Sequence, residues 1–154
     1  MLFGVEYNKN LKKRVKGIDE IIEILSTLNI KINYGYSPIP IVLKEIYSKE
    51  KENIFLCECI RCVEKGETLK KAWVNATEKY AKIYCLENKE TSVLKDFAIN
   101  LGDSDISGQT SNILLHIDFL KQIRNDAEIK LREKSKVSLS VGAFSGLVLA
   151  IILV

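Results

Sequence analysis

The C-terminal segment constrains this chain more than any other stretch of its sequence. Residues 137–154 read VSLSVGAFSGLVLAIILV, and no charged residue follows Lys136. As a helix with a rise of about 1.5 Å per residue, this segment would extend roughly 27 Å, close to the thickness of the hydrocarbon core of a bilayer. A core helix of a small soluble domain is seldom apolar on every face. The segment therefore predicts a transmembrane helix over residues 137–154.

Small side chains recur at every fourth position of this segment, at Ser138, Gly142, Gly146 and Ala150. Such a stripe lets a second helix approach closely, as in the small-xxx-small packing of membrane helices. The alternative is a single anchor whose small residues face lipid. The first interpretation makes the four residues candidates for helix packing, and both interpretations stay open.

Positive charge flanks the apolar segment, because Lys130, Arg132, Lys134 and Lys136 lead into it. Cationic residues beside an apolar span usually stay on the cytoplasmic side of the membrane. Residues 9–136 are therefore expected to form a cytoplasmic domain, with membrane lipid as one partner. The formal net charge of +3 is too small to favour a nucleic-acid partner.

The rest of the sequence predicts helices. In the first long stretch, apolar residues recur at steps of three and four, from Leu11 through Ile18 to Leu25. No segment alternates as a half-buried strand does, and no Asn-Gly or Asp-Gly hairpin signal occurs. The predicted fold class is all-α: an antiparallel bundle of about six helices followed by a C-terminal transmembrane helix. Residues 1–8 are a short apolar N-terminus, interpreted as a truncated anchor or as a segment that dips into the membrane interface.

Glycine, proline and capping residues mark the ends of the first predicted helices. Gly35 is expected to end the first helix, which should span about residues 9–32. Ser37 suits the N-cap of the second helix, and Pro38 suits its first turn because a proline lacks the N–H that would be unpaired there. The third helix is expected over residues 53–64.

Similar signals mark the later helices. Gly66 is expected to end the third helix, and Thr68 to cap the fourth. Residues 87–90 are predicted to form a loop before the fifth helix, which Gly102 should end in a left-handed conformation. Trp73, the only tryptophan in the chain, is interpreted as a core anchor between helices rather than as a platform for a ligand.

The sequence offers little material for catalysis or metal binding. His116 is the only histidine, which removes the commonest general base from most catalytic triads. Cys57, Cys59 and Cys62 are spaced like part of a metal site, but on a helix the first two would point about 200° apart. We therefore expect structural cysteines, no cofactor, no metal and no enzymatic activity. The alternative is a membrane-anchored enzyme that uses His116 or the Cys57–Cys62 cluster.

Four segments, in order along the chain, resemble the stage III sporulation protein AB family of endospore-forming bacteria. The first two are residues 32–39, INYGYSPI, which include Tyr34, and residues 66–73, GETLKKAW. The third, over residues 101–113, has the pattern Leu-Gly-x-Ser-Asp-x-x-x-Gln-x-x-x-Ile, and the fourth is residues 140–147, SVGAFSGL. The resemblance runs from about residue 9 to the end of the sequence given.

The resemblance implies a helical domain akin to the F-type inner-membrane platform proteins of type II secretion and type IV pilus systems. It further implies a place in the channel complex that joins mother cell and forespore during engulfment. The implied partners are a companion hexameric sporulation ATPase on the cytoplasmic side and other membrane subunits of the same complex. The implied location is the mother-cell or outer forespore membrane.

The resemblance therefore implies a non-enzymatic platform subunit that docks the ATPase. The predicted docking corner comprises Gly102, Ser104, Asp105 and Gln109, where the start of the sixth helix would expose oriented N–H groups. The alternative at this corner is that Asp105 and Gln109 only hold the turn together. The alternative for the whole chain, besides an enzyme, is a tail-anchored membrane-active or envelope protein.

Overall fold

The protein is a bundle of α-helices. The computed structural model describes the backbone of residues 2–35, 37–49, 52–102 and 105–152, and the side chains of residues 6–35, 37–49, 52–102 and 105–133. Within these ranges the chain has six helices and no strand, as predicted. The helices are α1 (Leu2–Gly35), α2 (Ile39–Lys49), α3 (Ile54–Glu64), α4 (Leu69–Tyr84), α5 (Asn88–Ile99) and α6 (Ile106–Ile152).

The two longest helices, α1 and α6, pack against each other in antiparallel orientation. Near the middle of α1, Asp19 forms an ion pair with Arg124, whose Nε lies 2.9 Å from Oδ1. Near the end of α1, the hydroxyl of Thr110 donates to Asn33 over 3.0 Å. Residue numbers thus rise along α1 while they fall along α6. The shorter helices pack in succession, α3 on α4, α4 on α5 and α5 on α6, which closes the bundle.

Aromatic rings fill the centre of the bundle. Phe55 on α3, Trp73 on α4 and Phe97 on α5 are completely buried. The centroid of the Trp73 ring lies 4.7 Å from that of Phe55 and 4.9 Å from that of Phe97. The indole N–H donates to the carbonyl oxygen of Leu94 over 3.1 Å, so its one polar group is satisfied. The prediction that Trp73 is a core anchor is confirmed.

A glycine allows α1 and α4 to touch. A Cβ atom placed on Gly17 would lie 2.7 Å from the Cβ of Tyr84, which is closer than two such atoms can approach. The hydroxyl oxygen of Tyr80 also lies 3.1 Å from the carbonyl oxygen of Gly17. Both tyrosine hydroxyls donate to the carboxylate of Glu20. The contact therefore depends on the missing side chain at Gly17.

Most predicted helix ends are confirmed. Asn53 and Thr68 cap α3 and α4 with side chains that accept backbone hydrogen bonds. Gly66 and Gly102 follow α3 and α5 with φ of +89° and +86°, a conformation that glycine adopts without strain. α1 ends at Gly35, as expected.

Two predicted ends differ from the structure. α5 begins at Asn88, inside the segment predicted as a loop, and a capping box starts it: the backbone N–H of Glu87 donates to Glu90 over 3.0 Å. Glutamate is seldom an N-cap, which explains why the pattern was not recognised. Ser37 does not cap α2, because its hydroxyl donates to the carbonyl oxygen of Gly35 over 3.2 Å.

The C-terminal transmembrane helix predicted over residues 137–154 is corrected by the structure. Residues 137–152 are not a separate element but the continuation of α6, a helix of 47 residues whose earlier turns pack on α1 and α5. Among the residues that the structure describes, no helix combines the length and the apolar character needed to cross a membrane.

The remaining predictions at the two ends of the chain concern residues 1–8 and the stripe of small residues. α1 begins at Leu2 rather than near residue 9, so residues 2–8 continue the first helix. The predicted packing residues Ser138, Gly142, Gly146 and Ala150 have side chains outside the described ranges.

Candidate docking groove

An open groove of about 660 Å³ lies where three separate parts of the sequence meet. Its described lining comes from residues 32–40, 68–70 and 101–109. These are parts of the first three segments that carry the family resemblance, together with Pro40. We call this surface the docking groove. The segments are far apart in sequence, so only the fold brings them together.

Three helices begin at the docking groove. Ile39 starts α2, Leu69 starts α4 and Ile106 starts α6, and all three residues line it. A helix start carries a partial positive charge, because its first N–H groups have no partner within the helix. Three helix starts therefore meet at the groove, and the carboxylate of Asp105 caps that of α6.

Aliphatic side chains form most of the groove surface. Ile32, Ile39 and Leu101 are buried, with 3%, 7% and 2% of their surfaces exposed. Leu69 is half-buried, and Ile106 is 37% exposed at the start of α6. An apolar surface that water can reach is the kind of surface that a partner's side chains can cover.

The predicted docking corner is partly a capping structure. Asp105 accepts a hydrogen bond from the backbone N–H of Gly108 over 2.9 Å through its carboxylate, so it caps α6. Gly102 lies in the groove wall, and no atom lies within 4 Å of where its Cβ would be. It is therefore glycine because of its positive φ rather than for lack of space. Ser104 lies outside the described residues.

Gln109 is the unusual member of the corner, because it is a buried polar side chain that is only half satisfied. It lines the docking groove with 4% of its surface exposed. Its Nε2 donates to the carbonyl oxygen of Asn100 over 2.9 Å. Its Oε1 is buried and receives no hydrogen bond from the described part of the chain. A buried acceptor without a donor costs free energy, so such groups are rare unless something else supplies the donor.

The other predicted residues divide between the groove and its surroundings. Pro38 lines the groove, and its carbonyl oxygen accepts hydrogen bonds from the first turn of α2. Tyr34 is 85% exposed near the end of α1 and does not line the groove. Gly66 lies in the turn before α4, and Trp73 lies one turn into α4, in the core.

The described lining of the groove includes one cation. Lys70 lines it, and no acidic residue is among its described lining residues. A neighbouring depression of about 470 Å³ shares Thr68 and Lys70 with the groove and adds Lys71 and Lys95. That depression also has no acidic residue among its described lining.

Sequence reasoning missed Leu69, Lys70 and Ile106 as groove residues. One local signal was available, because Lys70 and Lys71 occupy the first turn of α4, where the helix dipole disfavours cations. That turn contains no acidic residue.

The cysteine cluster shows no sign of catalysis or metal binding. Cys59 and Cys62 are buried, whereas Cys57 is exposed, so their side chains do not share one environment. Burial raises the pKa of the Cys59 thiol to about 12, which keeps it protonated and unreactive. No group of three metal-binding side chains occurs among the residues that the structure describes.

His116 is packed in the core rather than placed in a cleft. It is 6% exposed, and its Nδ1 lies 2.7 Å from the carbonyl oxygen of Asn112. Its ring contacts those of Phe97 and Phe119, with centroids 5.3 Å and 6.1 Å away. These contacts account for His116 as a packed core residue.

Comparison with known proteins gives one consistent result. The family model for stage III sporulation protein AB matches residues 1–154. The chain is also 26% identical over 153 residues to the stage III sporulation protein AB of Bacillus subtilis (strain 168), an alignment that covers 97% of this chain and 90% of the relative.

A solved structure agrees with the sequence comparison. A chain described as stage III sporulation protein AB superposes with a TM-score of 0.68 and is 25% identical. The superposition covers 78% of the chain described here and 97% of the solved one. Sequence and fold therefore point to the same relatives.

Proposed function

The chain belongs to the stage III sporulation protein AB family, and from this premise we propose that it is a platform subunit that docks a hexameric ATPase in the channel complex between mother cell and forespore. The docking groove would be the contact surface. In this proposal the chain acts at the mother-cell side of the outer forespore membrane, beside the other membrane subunits of the complex, and performs no chemistry of its own.

One observation carries the proposal. Three segments that carry the family resemblance, far apart in the sequence, line one exposed and largely apolar groove. Ile32, Ile39 and Leu101 belong to the hydrophobic core of the bundle. Pro38 and Ile106 are exposed and are not part of that core, so its packing does not explain their place in the groove. Residues that converge on an open surface are more simply explained by a shared partner.

The direct test is co-purification from sporulating cells. A tagged chain would be isolated in mild detergent, and the bound proteins identified by mass spectrometry. We expect the companion ATPase to be recovered together with other subunits of the complex. Failure to recover the ATPase from cells that contain it would reject the proposed role.

A pair of matched variants would link the ATPase to the groove. Ile106→Glu places a charge at the groove, where Ile106 is 37% exposed. Ile83→Glu makes the same change on α4 at a residue that is 39% exposed and does not line the groove. We expect the first variant to lose most of the bound ATPase and the second to retain it. Equal recovery with both variants would exclude the groove as the contact surface.

A further inference from the structure

We infer that the outer face of the α1–α6 pair binds a second copy of this chain, related to the first by a two-fold axis that runs parallel to the two helices. The outer face consists of exposed residues whose spacings, mostly three, four or seven, place them on one side of each helix. None of them lines the docking groove. The outer face includes Lys12, Lys16, Glu23 and Ile30 of α1, and Leu114, Leu115, Asp118, Lys121, Asp126 and Glu133 of α6.

The register between α1 and α6 determines which residues of the outer face stand at the same height. Two contacts fix it, the ion pair between Asp19 and Arg124 and the hydrogen bond between Asn33 and Thr110. The two contacts are equally far apart along both helices. Each residue forward along α1 therefore corresponds to one residue backward along α6.

Near the end of α1, the outer face is apolar. Ile30 on α1 is 58% exposed, and Leu114 and Leu115 on α6 are 48% and 51% exposed. In this register Ile30 stands level with residue 113, beside the two leucines. We call these three residues the apolar zone. Aliphatic side chains exposed together on two adjoining helices form a surface that association can cover.

Near the start of α1, the outer face is charged, with opposite signs on the two helices. α1 presents Lys12 and Lys16, and α6 presents Asp126 and Glu133 at the same height. We call these four residues the charged zone. Lys16 has one ion pair, a contact of 3.7 Å with Glu20 in the same helix. The other three form no ion pair with any residue that the structure describes.

Between the two zones, the outer face carries both signs of charge. Glu23 on α1 stands level with residue 120, next to Lys121 and within one turn of Asp118 on α6. Recognition is therefore expected to depend on the apolar zone and the charged zone rather than on the stretch between them.

A two-fold axis parallel to the helices makes the outer face complementary to itself. Rotation about this axis leaves every residue at its own height and places α1 of one copy on α6 of the other. Lys12 and Lys16 then meet the two carboxylates of the second copy's charged zone, and Ile30 meets the second copy's leucines. Each contact occurs twice, as in an isologous dimer. An axis perpendicular to the helices would instead place each charged zone on the apolar zone of the other copy.

The experiment measures self-association of the full chain in mild detergent by sedimentation equilibrium. One variant is Lys12→Glu/Lys16→Glu, and the other is Asp126→Lys/Glu133→Lys. We expect the native chain to form a dimer, and each variant alone to associate at least about tenfold more weakly because like charges would then face each other. An equimolar mixture of the two variants should restore the dimer, since each supplies the charge that the other needs.

Two further variants separate the charged zone from the apolar zone. Lys65→Glu/Lys82→Glu reverses two exposed lysines outside the outer face, and this matched control should leave the dimer unchanged. Leu115→Ser should weaken the dimer about tenfold, because it removes apolar contact twice, without altering its dependence on salt. Circular dichroism should show native melting for all four variants, since every changed residue is exposed.

Three results would overturn the inference. They are a native chain that stays monomeric, charge variants that associate as tightly as the native chain, and a mixture of variants that associates no more tightly than its components. The last result would assign the outer face to a partner other than a second copy. Recovery of the ATPase does not bear on these results, because its contact is proposed at the docking groove, which shares no residue with the outer face.

Discussion

The aromatic centre of the bundle and the docking groove both include residues of α4, but they differ in how far their polar groups are hydrogen-bonded within the chain. Trp73 is completely buried, touches two other rings and has its indole N–H bonded. One turn earlier, Leu69 and Lys70 line an open groove. Gln109, on the other side of that groove, keeps a buried acceptor without a described donor. The indole N–H in the first region is bonded within the chain, whereas the second region contains a buried acceptor without a described donor.

This difference shows how one short motif can serve two purposes. The segment GETLKKAW contains Gly66 for the turn, Thr68 for the cap, two lysines at the open helix start and Trp73 for the core. The residues at its two ends fix the position of α4 by local conformation and by burial. Lys70 and Lys71 lie between those ends, in the first turn of α4.

The largest expected effect comes from emptying the aromatic centre. Trp73→Ala would remove a fully buried ring and leave a cavity between α3, α4 and α5. We expect a loss of about 3–5 kcal/mol in the free energy of unfolding, measured by urea denaturation followed by circular dichroism. Trp73→Phe, which keeps a ring but loses the bond to Leu94, should cost clearly less. A loss below that of the surface variant Lys71→Ala would contradict the assignment of this region as the core.

The next effect tests a buried ion pair between α1 and α5. Arg14 is 4% exposed, and its Nη2 lies 2.5 Å from the carboxylate of Glu90, which is fully buried. Arg14→Met would leave that carboxylate without its cation, and we expect a loss of about 3 kcal/mol in the free energy of unfolding. The double variant Arg14→Met/Glu90→Gln should recover part of it. If the double variant were as unstable as the single one, the ion pair would not be the source of the effect.

The cluster around Arg14 also shows where sequence reasoning reached its limit. Arg14 stands in a basic stretch that looks solvated in the sequence, and Glu90 stands in a segment predicted as a loop. The two residues are 76 positions apart in the sequence, and their ion pair depends on how α1 packs beside the start of α5. Local patterns predicted the number of helices, the cap at Thr68 and the burial of Trp73, because each follows from the residue and its near neighbours.

The candidate site was predictable only in part for the same reason. The pattern around residues 101–109 pointed to Gly102 and Gln109, and both lie in the groove wall. It could not indicate that the starts of α2 and α4 would come to the same place. The C-terminal segment shows the opposite error, because its composition alone predicted a separate transmembrane helix where the backbone continues α6.

A smaller effect is expected at acidic pH and concerns Glu58, another buried group with partners inside the chain. Hydrogen bonds from Arg61 and from Lys79, whose Nζ lies 2.6 Å away, lower the pKa of the Glu58 carboxyl from 4.5 to about 2. The pKa is lower in the folded chain than in the unfolded chain. The stabilisation is therefore present above pH 4.5 and is lost as the pH falls towards 2.

We expect this loss to be about 1 kcal/mol, since both cations are half-exposed and screened by solvent. Urea midpoints measured between neutral pH and pH 3 would show it. Glu58→Gln should remove this part of the pH dependence, whereas Glu52→Gln, at an exposed residue, should not. An unchanged slope with Glu58→Gln would mean that other carboxylates account for the acid sensitivity.

The smallest effect on the free energy of unfolding is expected at the groove. It gives the most direct comparison between the docking groove and the aromatic centre. Gln109→Met keeps the volume of the side chain and loses the bond to Asn100, whose exposed position lets water replace the donor. It also removes a buried acceptor that has no described partner, which is favourable. The two changes nearly cancel, so we expect the free energy of unfolding to stay within about 0.5 kcal/mol of the native value.

Thr77→Val gives the contrast within the core. Thr77 is fully buried, and its hydroxyl donates to the carbonyl oxygen of Trp73 over 2.9 Å, so this change removes a satisfied bond and should cost about 1 kcal/mol. In co-purification the order should reverse: Gln109→Met should lower ATPase recovery and Thr77→Val should not. An equal loss of stability with Gln109→Met and Thr77→Val would contradict this prediction. It would mean that the hydrogen bonds of Gln109 are satisfied within the chain, and the buried acceptor would no longer argue for a partner.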